Sequence, residues 1–409
     1  MKRYGNLYEK VWHIKNLIEA DKKARSGKKN KSIREFDKSR GCNLITLQNI
    51  LINNEYNTSV YKTFKIFEPK ERIISKLPYY PDRIIHHAII NILDNIWIKQ
   101  FNSDVYGNIK GRGIHKALYK IKDDLKDIDG TKYCLKFDIK KYYPSVNNSI
   151  LKNIIRHKIK DNKLLRLLDN IIDSSQGIPI GNYLSQYFAN LYLSKFDNYI
   201  KHNLKIKYYY RYVDDIIILN NNKVELHKIF KLIKEYIDVN LKLIIKNNHQ
   251  IFPINKRNID FVGYVINRDY IRIRKKIKKS FIKSSTSNNR SSIYSYLGWL
   301  KHADSKNLIK KYLDMKKFSE FKIDNKLKFN GDKISINDIL NKKISIHRYS
   351  ISESKYNGNY LTIQIEIDNK DMVIFTGSNN LIQVIKQVKN ENFPFETIIK
   401  KKYKQYIFT

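Results

Sequence analysis

Two apolar runs held four residues apart constrain this chain more than any other feature. Lys207-Tyr-Tyr-Tyr-Arg211 and Ile216-Ile-Ile-Leu219 flank Tyr212-Val213-Asp214-Asp215. Aromatic and β-branched runs favour strands, and so short a spacer closes them into a tight hairpin with both carboxylates at its turn. Acid pairs at strand turns are commonly solvated turn residues, so the pair alone leaves that reading open. A third carboxylate, Asp138, ends the strand-like run Lys132-Tyr-Cys-Leu-Lys-Phe137 and is placed in the same way. Three acids at two strand ends suit a pair of divalent cations about 3.5–4 Å apart, the arrangement used for in-line phosphoryl displacement. The pattern points to nucleotide polymerisation.

A chain of 409 residues, 42% hydrophobic and with 30 tyrosines, is expected to fold into two or three domains with proper cores. No apolar run approaches a membrane span, and residues 1–8 lack the apolar core of a signal peptide, so no membrane partner is expected. Cys42 and Cys134 are too few for a disulfide framework or a zinc site, and the ten histidines lack ligand spacing. A reducing cytoplasm is the expected compartment. Lysine and arginine number 79 against 39 acids, a formal net charge of +40. Abundant Lys, Asn and Ile suggest an AT-rich genome that inflates lysine, yet the excess is larger than that bias should leave. A polyanion is the expected partner, bound with steep salt dependence.

Residues 1–60 carry amphipathic helical patterning broken by a basic run at 22–32, and residues 61–80 turn β-like and basic. A helix is expected over about 82–98, with His86 and His87 facing two directions. Tyr106-Gly-Asn-Ile-Lys-Gly-Arg-Gly-Ile114 reads as a basic glycine turn suited to phosphates. After the strand ending at Asp138, a helical stretch is expected over about 148–172. The loop 176–181 then opens a helix with Leu184, Phe188, Leu191, Phe196 and Ile200 near one face. The acid hairpin follows, then a helix with Val224, Phe230, Ile233 and Ile237, and strands at 241–245 and 259–266. This is a split β-α-β plan. Residues 270–320 read as helical and basic. Beyond about 322, strict alternation at 361–368, a strand at 372–375 and a short helix at 381–388 suggest a small β-rich domain, a curled sheet of the oligonucleotide-binding (OB) kind. Glu366, Asp368 and Asp371 are expected on its solvent face.

In three places the chain resembles reverse transcriptases, and the resemblance covers roughly residues 1–320. Phe137-Asp-Ile-Lys-Lys-Tyr-Tyr-Pro-Ser145 resembles the first catalytic motif, residues 177–186 the template loop, and Tyr212-Val-Asp-Asp215 the second catalytic motif. The resemblance implies an α+β right-hand polymerase. An N-terminal extension and fingers would occupy 1–130, a palm with the split β-α-β sheet 131–268, a helical thumb 269–321, and the β-rich domain 322–409. It implies two Mg2+ ions, with Mn2+ as a substitute, held by Asp138, Asp214 and Asp215 with the Ile139 carbonyl on the nucleotide-side ion. One ion would sharpen the primer 3′-hydroxyl and the other neutralise the triphosphate. Tyr143 stands where the family places a ring beneath the incoming sugar, against a ribose 2′-hydroxyl. Lys65, Arg72, Lys110 and Arg112 are candidate triphosphate clamps, each also readable as a surface charge. Phe261, Gly263 and Tyr264 resemble the hairpin that grips the primer end, and Lys246 is a candidate acid for pyrophosphate.

Within the family, the nearest resemblance is to reverse transcriptases of diversity-generating retroelements, which are bacterial or phage-encoded. In the template loop, Gly177, Pro179, Ile180, Gly181, Ser185 and Gln186 carry it: most members have glutamine where Ile180 stands and proline where Gln186 stands. Residues 1–8, Glu68-Pro-Lys-Glu-Arg72 and Tyr296-Leu-Gly-Trp-Leu-Lys-His-Ala303 also look like that group. The subfamily implies cDNA synthesis on a template RNA from dNTPs, errors concentrated at template adenines, and a small basic accessory protein. The alternatives are an antiphage or abortive-infection reverse transcriptase and, in another class, a non-catalytic RNA-binding scaffold, which would need none of the three acids.

Overall fold

Alternate side chains of the central strands enter two different cores, and the acid turn stands at the end of those strands. The computed structural model describes residues 2–28, 30–67, 71–287, 289–313, 329, 331–353, 359–368, 370–388, 390–403 and 405–409. The chain divides into two compact units, Met1–Leu313 and Asp314–Thr409. In the first, β1 (Lys62–Ile66) and β2 (Arg72–Lys76) form an antiparallel hairpin. Strands β3 (Tyr133–Asp138), β4 (Tyr208–Tyr212), β5 (Asp215–Asn220) and β6 (Gln250–Pro253) form an antiparallel sheet in the order β4-β5-β3-β6. Leu135, Phe137, Ile216 and Ile218 join the core that holds helices Tyr183–Asn198 and Lys223–Leu241. Cys134, Tyr208, Tyr210, Ile217 and Leu219 join a second core with Leu118 and Ile121 of helix Ile114–Asp124. A sheet covered on both faces needs apolar residues at successive positions, which is why these strands read as unbroken runs.

Several expected elements differ. The stretch 148–172 is two helices, Asn148–Arg156 and Asn162–Asp173. Asp161 divides them: one carboxylate oxygen accepts from Leu164 N–H at 3.2 Å, and the other takes the amides of Leu7 and Tyr8 at 2.6 and 2.9 Å. The N-terminal segment is therefore fastened to the junction of these two helices. The expected strand at 241–245 shrinks to one bridge, Ile139 to Ile245, because the preceding helix runs to Leu241 and Lys242 ends it with φ 52°. The fourth strand is Gln250–Pro253 instead. The expected strand at 259–266 folds into β7 (Ile259–Phe261) and β8 (Tyr264–Ile266), and β9 (Ile271–Ile273) precedes the basic helices Lys275–Thr286, Arg290–Leu300 and Lys306–Tyr312. Helix Tyr183–Asn198 is buried nearly all round, Ser185, Asn190 and Asp197 included, and not along one face. On Lys223–Leu241 the buried side is Leu226, Ile229, Ile233, Ile237 and Leu241, with Val224 exposed. The expected thumb boundary at 321/322 lies outside the described residues, as do residues 68–70.

The second unit carries strands Asp332–Ile334, Lys343–Glu353, Asn359–Ile367, Lys370–Thr376, Phe395–Lys402 and Gln405–Phe408 in one sheet, with helix Asn379–Ile385 packed on it. It is an open sheet and not an OB barrel: among the described residues, Asp332–Ile334 and Gln405–Phe408 each pair on one side only. Thr362 and Gln364 are buried opposite the apolar face of Asn359–Ile367, so the alternation marks two kinds of buried face. Glu366 is half-buried and pairs with His347 at 3.0 Å, whereas Asp368 and Asp371 are exposed.

His86 and His87 are both buried in helix Ile84–Ile98, and burial drives each down to about 4. Their folded pKa values lie below the unfolded value, so the stability they contribute is complete above about pH 6.5 and lost as pH falls through 4. His86→Leu is expected to flatten the acid limb of the melting temperature against pH by about one proton. An unchanged limb would show that other groups govern acid unfolding.

Candidate active site

Asp138 closes β3 opposite Asp215, and Tyr212 pairs with Asp215 across the hairpin, which leaves Val213 and Asp214 as the turn residues. Val213 adopts φ 58°, a left-handed conformation that a β-branched residue keeps only under constraint. Gly107 permits the close approach: a Cβ there would lie 2.7 Å from Val213 Cγ2 and 2.8 Å from its amide nitrogen. The glycine turn thus packs on the acid turn, with Tyr106 N–H donating to the Arg211 carbonyl at 2.9 Å. Residues 242–246 run beside the end of β3. Lys140 N–H donates to the Ile244 carbonyl at 2.8 Å and Lys246 N–H to the Asp138 carbonyl at 2.9 Å, with Ile139 buried between them.

The carboxyl of Asp214 is pushed up to about 6 by burial and then by the charge of Asp138. Asp215 rises to about 7, chiefly through burial; Lys136, 3.9 Å from its Oδ1, opposes the rise, and Asp138 and Asp214 add to it. Asp138 Oδ1 and Asp215 Oδ1 are buried without a hydrogen-bond partner. Buried, mutually repelling carboxylates with unsatisfied oxygens are hard ligands that a divalent cation would complete. The residues fit such an ion. Among the described residues no three His, Cys, Asp or Glu side chains close on one point; the carboxylates of Asp138 and Asp214 act on one another most directly, and both act on Asp215. The Lys246 ammonium is ion-paired with Asp138 Oδ2.

The loop at 177–181 joins the β1–β2 hairpin to the segment that follows β3 through main chain. Ser75 N–H of β2 donates to the Ile180 carbonyl at 2.7 Å, and Ile178 N–H to the Tyr143 carbonyl at 2.9 Å. Gly181 has φ 125°, and a Cβ on it would lie 2.8 Å from the Ser75 carbonyl oxygen. Gly177 is buried against the Tyr143–Pro144 backbone, while Pro179 and Ile180 are half-buried. Ser185 and Gln186 belong to the helix that follows, the first buried and the second exposed. Tyr143 lies in the short helix Tyr142–Ser145; burial, then the charge of Asp214, push its phenol up to about 12, and Arg72 opposes them.

The four candidate clamps separate. Arg72 pairs with Ile66 and Lys65 with Ile73. Cross-strand partners share a face and successive residues alternate, so Lys65 and Arg72 project from opposite faces of the hairpin and do not clamp together. Arg72 is the one whose charge reaches Tyr143, and Lys65 pairs with Glu71 at 3.0 Å. Arg112 turns inward onto the carbonyls of Asn102 and Val105, and Lys110 is exposed. Phe261 and Tyr264 are fully buried, and Gly263 is buried against the Trp299 ring. Any grip on a primer end from this hairpin is left to Val262 and the turn backbone. Gly107, Asn190, Asp197 and Arg211 gather behind the acids and were not legible as a group. A charged residue at 211 inside an aromatic strand was the one available signal.

Residues 65–266 match the model of the family Reverse transcriptase (RNA-dependent DNA polymerase), and residues 330–409 that of a Domain of unknown function (DUF8468). Protein YkfC of Escherichia coli (strain K12) is 27% identical over 137 residues, 30% of this chain and 36% of that protein. Group II intron-encoded protein LtrA of Lactococcus lactis subsp. cremoris is 28% identical over 143 residues, 32% of this chain and 23% of that protein. The chain thus spans well under half the length of either curated relative. Among solved structures, apo telomerase from Candida Tropicalis truncated from its C-terminal domain superposes with a TM-score of 0.41 at 16% identity, over 57% of this chain and 60% of that one. That superposition is too loose to bear on function. No helix among the described residues is long and apolar enough to cross a membrane.

Proposed function

We propose that this chain, whose residues 65–266 match the reverse transcriptase family model, is an RNA-directed DNA polymerase that extends a primer on an RNA template with dNTPs. The carboxylates of Asp138, at the end of β3, and Asp214, in the β4–β5 turn, act on one another inside the matched segment, and that juxtaposition carries the reading. These two acids, flanked by Asp215, would hold Mg2+ or Mn2+, which supplies Lewis-acid stabilisation to the transferring phosphoryl group. Tyr143 would wall the sugar pocket beside Asp214, and Arg72 is the hairpin cation whose charge reaches it. The surplus of basic residues supports a nucleic-acid partner. Incubation with the flanking RNA, Mg2+ and dNTPs tests the reading; absence of cDNA sinks it.

The finer assignment is error-prone synthesis in a diversity-generating retroelement, with a small basic accessory protein as partner, and Ile180 and Gln186 support it. An amide at 180 would hydrogen-bond near the templating nucleotide and hold the nascent pair, whereas isoleucine offers no such bond. Ile180→Gln is expected to reduce misincorporation opposite adenine roughly fivefold, the worth of about 1 kcal/mol of hydrogen bonding. An unchanged error spectrum in sequenced cDNA would remove the support.

A further inference from the structure

We infer that Arg211 is a positioning residue that sets the acid turn through the Val213 carbonyl; the inference rests on the reading of Asp214 as a metal ligand. Arg211 lies in β4 with its side chain wholly buried. Its Nε and Nη2 donate to the two oxygens of Asp197, each at 2.6 Å, and Tyr209 OH donates to the same carboxylate at 2.7 Å. That bidentate pair fixes the plane of the guanidinium. The remaining nitrogen, Nη1, is thereby aimed forward: it donates to the Val213 carbonyl at 2.9 Å and to Asn190 Oδ1 at 3.2 Å. Asn190 in turn donates from Nδ2 to the Gly107 carbonyl at 2.8 Å. Helix Tyr183–Asn198, which carries both Asn190 and Asp197, therefore grips the acid turn from behind and from the side on which Gly107 abuts it.

An ion pair needed only for the core would be complete with Nε and Nη2. The third contact goes to the one residue of the turn whose conformation is strained. Val213 released from this bond would relax toward negative φ and swing the peptide that leads to Asp214. Lysine cannot replace the arrangement, because its ammonium lacks the planar fork that holds one N–H forward while two are engaged. Glycine at 213 would take the observed conformation without strain, so it should lessen the need for the clamp.

The test compares wild type, Arg211→Lys, Val213→Gly and the double variant in the full chain. Hydrogen–deuterium exchange of the peptide spanning 212–216 is read alongside melting temperature, and primer extension gives kcat and KM. For Arg211→Lys, turn amides are expected to exchange about 10-fold faster, and kcat to fall about 100-fold with KM for primer–template within about twofold, as a misplaced reacting centre predicts. Val213→Gly in that background should restore kcat about 10-fold. Unchanged turn exchange, equal losses in kcat and KM, or no rescue would overturn the inference. Should Arg211→Lys fail to fold, Asn190→Ser, which leaves the Arg211–Asp197 pair in place, must show the same pattern in smaller degree, or the inference fails. A wild type without polymerase activity would refute the proposed function, while the exchange comparison would still decide the role of Arg211.

Discussion

Asp214→Asn is expected to lower nucleotide incorporation roughly 1,000-fold or more and yet raise thermal stability in the absence of divalent ions. The activity loss follows from the proposed role of Asp214 as a metal ligand, since a bound metal is worth several kcal/mol of transition-state charge stabilisation. The stability gain follows from the same geometry. Burial and the neighbouring Asp138 charge hold the Asp214 carboxyl up at about 6. A folded-state pKa above the unfolded value of about 3.9 means that the group favours folding below that pH and loses this contribution as pH rises through 6. At pH 7.5 in a chelator the wild type carries a buried, repelled anion that asparagine lacks. The variant should therefore melt higher at pH 7.5, the gap should close below pH 4, and Mg2+ should narrow it. A variant that incorporates nucleotides normally would remove Asp214 from the chemistry. One that is inactive and melts lower at pH 7.5 would make it a structural residue.

Tyr143→Ala is expected to reduce the preference for dNTPs over rNTPs about 100-fold, measured as the ratio of kcat/KM values, with smaller effect on DNA synthesis itself. The ring is half-buried, meets Tyr142 edge-on at a centroid distance of 5.8 Å, and rises from a backbone pinned by Ile178. Discrimination by a ring so supported would be steric, so Tyr143→Phe should keep the preference although it loses the hydroxyl contact with Asn108. If Tyr143 only fills the core, the alanine variant will melt lower without admitting ribonucleotides.

How much of this was legible in the chain follows the range of the forces involved. The acid turn and the strand ending at Asp138 announce themselves locally, because short apolar runs and their spacers dictate strands and turns. Gln250–Pro253 was hidden because Asn247, Asn248, His249 and Gln250 look like loop, and pairing with β3 overrides that local preference. Residues 241–245 looked more like a strand, yet the helix takes Leu241, Lys242 turns left-handed, and only Ile245 pairs, through one bridge to Ile139. Arg211 and Asp197 lie fourteen residues apart on a strand and a helix, and nothing in either segment predicts that they meet. The opposed faces of Lys65 and Arg72 were in principle derivable, but only once the hairpin register was fixed.

The bond from Ser75 to the Ile180 carbonyl leaves the side chain at 180 out of the scaffold's own bonding. Its neighbour Gly181 has no such freedom, because any larger residue would strike the Ser75 carbonyl. A lineage can therefore change the letter at 180 by single codon steps while the β1–β2 hairpin stays tied to the loop. Copying accuracy, where it depends on that side chain, becomes a heritable setting that selection can move without first rebuilding the enzyme.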